Sequence, residues 1–170
     1  MEKEVKKTCS FYVSEYHLVT MLLPYIKQKI DEKAIIKTIL EENIEENMEK
    51  LVKNINLETN CKNEILSINW KSFQAYNFPN IEKALENGKI TNIIISGKYD
   101  YVEMINKTIE NYIENSYINY KIVINNCYDV TDLKTNINEI LERHDKILNT
   151  SGEQNIELIL PNKKKVVKTN

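Results

Sequence analysis

Asn92-Ile93-Ile94-Ile95-Ser96-Gly97-Lys98-Tyr99-Asp100-Tyr101-Val102-Glu103 is the stretch on which the fold turns. Asn92–Ser96 is short and almost unbroken in its apolar centre, which predicts a central strand covered on both faces. Gly97 ends the run, and Asp100-x-x-Glu103 has the spacing of a capping box. Tyr101, Ile105, Ile109, Tyr112 and Ile113 then recur at helical spacing. A strand, a turn and a helix make one unit, and similar units lie on either side of it.

Upstream, Thr8–Val13 reads as a strand, and Ser14 offers an N-cap oxygen to a helix carrying Leu18, Met21, Leu22, Tyr25, Ile26 and Ile30 on one face. Pro24 removes a hydrogen bond inside that helix, so a kink or a break is expected there. Ala34–Leu40 is the next strand, followed by a helical stripe of Ile44, Met48, Leu51, Val52 and Ile55. Glu64–Asn69 is read as a third, weaker strand. The aromatic stretch of Trp70, Phe73, Tyr76 and Phe78 reads as a loop packed on the core. Pro79 and Gly88 bracket a short helix with Ile81, Ala84 and Leu85.

Downstream, Tyr120–Asn125 is a buried-type strand. Thr131 or Asp132 is expected to cap a helix whose inner face carries Leu133, Ile137, Ile140, Leu141 and His144. Lys146–Asn149 and Asn155–Leu160 would form an edge hairpin around Ser151-Gly152. Strands that alternate with helices require crossover connections. The expected fold is therefore α/β, with a mainly parallel sheet of about 5–7 strands, helices on both faces and a C-terminal edge hairpin. Residues 1–160 are expected to form a single domain, and 161–170 a basic tail.

The 170 residues carry a formal net charge of −2, with 42% apolar and 28% charged side chains. That balance belongs to compact proteins and not to disordered ones. Arg143 is the only arginine among 23 basic residues, which argues against a nucleic-acid partner, because bidentate contacts to bases and phosphates favour guanidinium groups. Cys9, Cys61 and Cys127 are odd in number and far apart, so neither a disulfide framework nor a zinc site is expected, and reduced thiols place the chain in the cytoplasm. No apolar run approaches the roughly 20 residues of a membrane span. The expectation is no membrane, no metal and no cofactor.

In such a sheet, ligands collect at the carboxyl ends of the strands. The residues in those turns are Ser14, Glu15 and His17 after the first strand, Ser96, Gly97, Lys98 and Tyr99 after the central one, and Asp129 after the next. These eight form the candidate ligand-binding set, with Glu15 beside Lys98 in a nearly neutral cleft. A nucleoside-triphosphatase would place a GxxxxGK[ST] loop after its first strand, because glycines let backbone N–H groups wrap the phosphates. Val13-Ser14-Glu15-Tyr16-His17 has no glycine and carries an acid there. Ser96-Gly97-Lys98 is only a fragment of such a loop, and Ser96 stands where a magnesium-holding Asp would be expected. Cys127, Asp129 and His144 could supply a nucleophile, an orienting group and a base. The competing structural reading, an inert buried thiol and a core histidine, is preferred, so no catalytic residue is assigned.

Phe11-Tyr12-x-Ser14-Glu15, Leu22-Leu23-Pro24-Tyr25-Ile26-Lys27 and Cys127-Tyr128-Asp129 leading into Ile140-Leu141-x-x-His144 resemble the MEDS domain, the methanogen/methylotroph DcmR-type sensory domain. The resemblance spans about residues 7–160. It implies a RecA-like α/β fold without a working phosphate loop, used as an input module that senses small organic compounds. Members of that family commonly carry a kinase or DNA-binding output domain, and none is expected within these residues. The expected function is a non-enzymatic sensory or regulatory domain whose partner is a small molecule or a signalling protein, with a homodimer as a further expectation. A residual nucleotide-binding or hydrolysing enzyme and a purely structural interaction domain are the alternatives.

Removal of Lys163–Asn170 is expected to leave the melting temperature nearly unchanged, since a charged tail buries little apolar area. A loss of several degrees in a thermal melt would place part of the fold inside that tail.

Overall fold

The structure, a computed structural model, describes residues 3–72, 90–116 and 119–160. Its strands are β1 (Lys3–Tyr12), β2 (Ile35–Leu40), β3 (Ile90–Gly97), β4 (Tyr120–Asp129), β5 (Lys146–Asn149) and β6 (Gly152–Asn155). The helices are α1 (Glu15–Asp31), α2 (Glu45–Asn54), α3 (Thr59–Ser67), α4 (Tyr99–Glu114) and α5 (Ile137–Glu142). The six strands form one sheet in the order β2-β3-β4-β1-β5-β6. Every neighbouring pair is parallel except the hairpin β5–β6. This is the expected α/β class: a three-layer sandwich with a mainly parallel sheet and an antiparallel pair at one edge.

Two buried clusters separate the layers. Cys9, Ile93, Ile95, Ile122, Ile124 and Tyr128 face α4 and α5, and meet Val102, Ile105, Ile109, Ile113, Ile140 and Leu141. Tyr12, Leu40, Ile94 and Cys127 face the opposite way, onto α1, α2, α3 and Trp70. Alternation along the strands makes both faces apolar, and the turns from β1, β2 and β3 into the helices that follow them are short.

Several elements differ from the sequence reading, each for a physical reason. Glu64–Asn69 is not a strand: Ile65 is buried as part of α3, and Trp70 donates from Nε1 to Ile65 O at 2.8 Å, so the helix end is tied down by the indole. α1 runs unbroken through Pro24, whose side chain is exposed, so water can take the carbonyl left without a donor. The Asp100–Glu103 capping box does not form. Lys98 is the N-cap residue of α4 and makes no side-chain cap, while Asp100 pairs with Lys134 and Glu103 with Arg143. α5 is capped by Asn136 and not by Thr131 or Asp132, which lie in a 3-10 turn capped by Asp129. Asn155–Leu160 is not a strand either: the hairpin partner is Gly152–Asn155, and Ile156–Leu158 is a 3-10 turn that buries Ile156. Phe73, Tyr76, Phe78, the helix expected between Pro79 and Gly88, and the tail 161–170 lie outside the described residues.

β1 begins five residues earlier than its apolar pattern announces, because Lys3 and Lys7 sit on the face toward α4 and satisfy groups there. Lys3 Nζ donates to Ile113 O (2.8 Å) and Ser116 O (2.5 Å), closing the C-terminal end of α4, where a cation is favoured. Lys7 pairs with Glu110 on the same helix.

Ile94 is fully buried in β3, which is hydrogen-bonded to β2 on one side and β4 on the other. Ile94→Asp is expected to abolish soluble folding, since an unpaired buried carboxylate costs several kcal/mol against a typical total of about 5–15 kcal/mol. Wild-type solubility and melting of that variant would refute the placement of β3.

Candidate functional site

The sheet order sets β4 between β1 and β3, so the carboxyl ends of those strands are neighbours: Tyr12 is registered with Asp129, and Gly97 with Tyr128. The turns that hold the candidate residues therefore lie along one edge of the sheet. Most of their polar atoms are already engaged locally. Ser14 Oγ accepts the His17 N–H at 3.1 Å, and His17 Nδ1 accepts the Val13 N–H at 3.2 Å, so both residues cap the start of α1. Asp129 Oδ1 accepts from Thr131 N (2.9 Å) and Thr131 Oγ1 (2.6 Å). Ser96 is buried, and its carbonyl accepts the Glu41 N–H at 2.9 Å.

The Gly97-Lys98 turn is occupied by a carboxylate of the chain itself. Glu41 Oε2 accepts the Lys98 N–H at 2.8 Å. Gly97 has φ 153°, and a Cβ there would lie 2.7 Å from Glu41 Cβ, so only glycine lets Glu41 rest against the turn. Glu15 turns toward α2, where it accepts from Asn47 Nδ2 at 2.9 Å. The Glu42 carboxyl is held above its ordinary range, first by burial and then by Glu15, Glu41 and Asp129. The edge is acidic, which is the wrong electrostatics for a phosphate. Among the described residues no group of His, Cys, Asp or Glu is arranged to hold a metal ion.

Tyr99 points away from this edge. Its ring stacks on Tyr128 (centroids 6.0 Å apart), which in turn stacks on Phe11 (5.9 Å), on the α4 side of the sheet. Here a groove of about 840 Å³ opens between α4 and the segment that follows α5. Its origin is topological. The crossover from β4 to β5 contains only a six-residue helix, too short to cover the sheet face beside α4.

The floor of the groove is a closed polar network. Asn106 and Asn126 exchange hydrogen bonds: Asn106 Nδ2 donates to Asn126 Oδ1 at 2.6 Å, and Asn126 Nδ2 to Asn106 Oδ1 at 3.1 Å. Asn106 Nδ2 also donates to Val102 O (2.8 Å), and Asn126 Nδ2 lies 3.0 Å from His144 Nε2. His144 Nδ1 sits 2.6 Å from Ile140 O, an acceptor only, so Nδ1 carries the proton and Nε2 accepts from Asn126. Burial is the main cause that pushes the His144 pKa down to about 4, so the ring is neutral near pH 7. At the mouth, Glu103 accepts from Tyr128 OH (3.0 Å) and binds Arg143 through both oxygens (2.9 and 3.3 Å), a bidentate pair. Burial and then the Glu103 charge hold the Tyr128 hydroxyl well above its ordinary pKa.

The three residues weighed as a catalytic trio are apart in function as well as in space. Cys127 faces α1, the opposite side of β4 from His144; it is fully buried, and burial pushes its thiol up to about 12. Asp129 is engaged with Thr131, and both ring nitrogens of His144 are committed to structure. Of the groove residues, Lys7, Asn106, Asn126, Tyr128 and Arg143 were not singled out from the sequence as a site. A signal for two of them was present: consecutive asparagines ending a buried-type strand, one toward each layer, require partners on both sides.

His144 gives a measurable acid response. Its folded pKa of about 4 lies below the ordinary 6.5, so its stabilising contribution is complete above pH 6.5 and is lost as pH falls toward 4. The loss is roughly 1 kcal/mol per pH unit across that window. His144→Gln is expected to flatten this part of the stability–pH curve, and the wild-type ring is expected not to titrate by NMR until near pH 4. Equal slopes for the two proteins, or a ring titrating near 6.5, would contradict the network. Comparison with known proteins finds no matching family model, no matching curated protein and no matching solved structure, so the MEDS resemblance is carried by its motifs alone.

Proposed function

We propose that this chain is a non-enzymatic sensory or regulatory domain that binds a small molecule in the groove between α4 and the Arg143–Asp145 segment. The observation that carries this is the groove itself: it has the volume of a small-molecule site, a pre-formed floor of satisfied polar groups, and in its lining the ring of Tyr128, which Tyr99 backs by stacking. Its strand residues are Lys7 of β1 and Asn126 and Tyr128 of β4. A regulatory role is preferred to catalysis because the two groups weighed as base and nucleophile are not available to the groove: His144 is neutral with both nitrogens engaged, and Cys127 is on the far side of the sheet. A nucleotide is disfavoured because Glu41 occupies the Lys98 N–H where a phosphate oxygen would bind. The MEDS resemblance points the same way, toward an input module for small organic compounds. The three cysteines form no disulfide among the described residues and two of them are buried, which fits a reducing compartment, and the cytoplasm is the proposed location.

A protein partner is the second reading, and one observation favours it. Val13 and Tyr16 are each 63% exposed on the acidic edge beside Glu15, a placement with no role in the packing of α1.

Thermal melting against a panel of small metabolites tests the proposal. At least one compound is expected to raise the melting temperature of the wild type and not that of Tyr128→Leu, while Mg-ATP and Mg-GTP are neither hydrolysed nor stabilising. Phosphate release that disappears in Lys98→Ala would overturn the non-enzymatic reading. A stabilising metabolite whose effect survives Tyr128→Leu would move the site away from the groove.

A further inference from the structure

We propose that the groove takes a small zwitterion, a molecule that carries a carboxylate and a protonated amine on one short skeleton. This rests on the sensory reading above and names the chemistry of its ligand.

The two walls of the groove have opposite character. α4 contributes the carboxylates of Asp100, Glu103 and Glu110, whereas the facing side contributes the cations Lys7, from β1, and Arg143. Two ion pairs close the gap, Lys7 with Glu110 and Arg143 with Glu103. Counting Lys107, which is on α4 itself, the lining cations and carboxylates balance, so the groove is neutral overall. Lys7 is tethered through its backbone, whose N–H donates to Asp145 Oδ2 at 2.9 Å, and its Nζ keeps donor directions beyond the bond to Glu110. Arg143 is similarly held, through Nε to Glu139 O at 3.3 Å, with its guanidinium at the groove surface.

A guest must compete with these internal pairs, and that requirement selects its charge. A lone carboxylate that drew Lys7 and Arg143 to itself would leave Glu110 and Glu103 half-buried without their cations. A lone amine would strand Lys7 and Arg143 in the same way. Either exchange leaves an uncompensated charge, which is the costly outcome for a partly desolvated pair. A zwitterion lying across the groove exchanges with both members of one pair at once, its carboxylate toward Lys7 or Arg143 and its ammonium toward that cation's partner, Glu110 or Glu103. The net charge of the site does not change. The neutral Asn106–Asn126–His144 floor supplies no competing charge beneath it.

Isothermal titration of the full chain tests this with glycine, β-alanine and γ-aminobutyrate as zwitterions of increasing charge separation. Acetate, propylamine and propionamide serve as the single-charge and uncharged counterparts. At least one zwitterion is expected to bind saturably, about tenfold or more tighter than any counterpart, and at least one of Lys7→Gln and Arg143→Gln is expected to weaken it about tenfold. Circular dichroism of both variants checks that they fold. If a counterpart binds as tightly as the zwitterions, the charge class is wrong, while a groove-binding sensory domain stands. If no zwitterion binds, or if neither substitution weakens binding, the proposal falls, and the metabolite panel above decides separately whether the sensory reading falls with it.

Discussion

The burial of β4 on both edges and both faces is the constraint from which the rest of the structure follows. Its ten residues are registered one for one with β1, from Lys3↔Tyr120 to Tyr12↔Asp129, while eight of them pair with β3 on the other side. Its central residues Ile124–Tyr128 are buried, so a side chain there is apolar or hydrogen-bonded within the protein, Asn125 Nδ2 being the exception with no partner among the described residues. Ile122, Ile124 and Tyr128 meet the first demand on the α4 side, and Cys127 does on the α1 side. Asn126 meets the second. Its amide holds α4 through Asn106 and the segment after α5 through His144, so one residue positions both walls of the groove.

That arrangement explains how a cavity persists over a sheet face that usually carries a full helix. The crossover from β4 to β5 is too short in helix to fill the space, and apolar residues left there would be exposed. Instead the face carries Lys7, the two asparagines and His144, all of them hydrogen-bonded or ion-paired, and the neighbouring carboxylates neutralise the cations. The polar groups are rigid because each is satisfied, and a satisfied network is a pre-organised surface for a guest. At the strand-end edge the opposite holds. There the side chains are spent on capping α1, on the turn after β4 and on the contact of Glu41 with Gly97-Lys98, which leaves an acidic rim with two exposed apolar residues.

The class of fold was legible because it depends on periodicity: the isoleucine runs of β3 and β4, and the helical stripes of α1 and α4, are long and strongly patterned. The start of β1 was hidden by its lysines, whose ammonium groups are satisfied by α4 only once the sheet exists. α3 was misread as a strand because Ile65, Leu66 and Ile68 are compatible with either period over so few residues, and the indole bond of Trp70 that fixes the helix end is a tertiary contact. The site was less legible than the fold. Position after a strand identified residues that do share an edge, but it could not tell that Ser14, His17 and Asp129 are consumed by capping or that Tyr99 turns to the other face. Arg143 was noticed only as the lone arginine. Its partner Glu103 looked like half of a capping box, a local role that lost to a bidentate pair between residues 40 positions apart.

Placement of the ligand in the groove, and not on the strand-end edge, is the central claim, and amide chemical-shift mapping during a titration with a stabilising compound addresses it most directly. The account predicts that the largest perturbations fall on Asn106, Asn126, Tyr128, Arg143 and His144, which come from α4, β4 and the segment after α5 and meet at the groove. Perturbations centred instead on Glu15, Glu41, Gly97 and Lys98 would contradict it and return the site to the acidic edge.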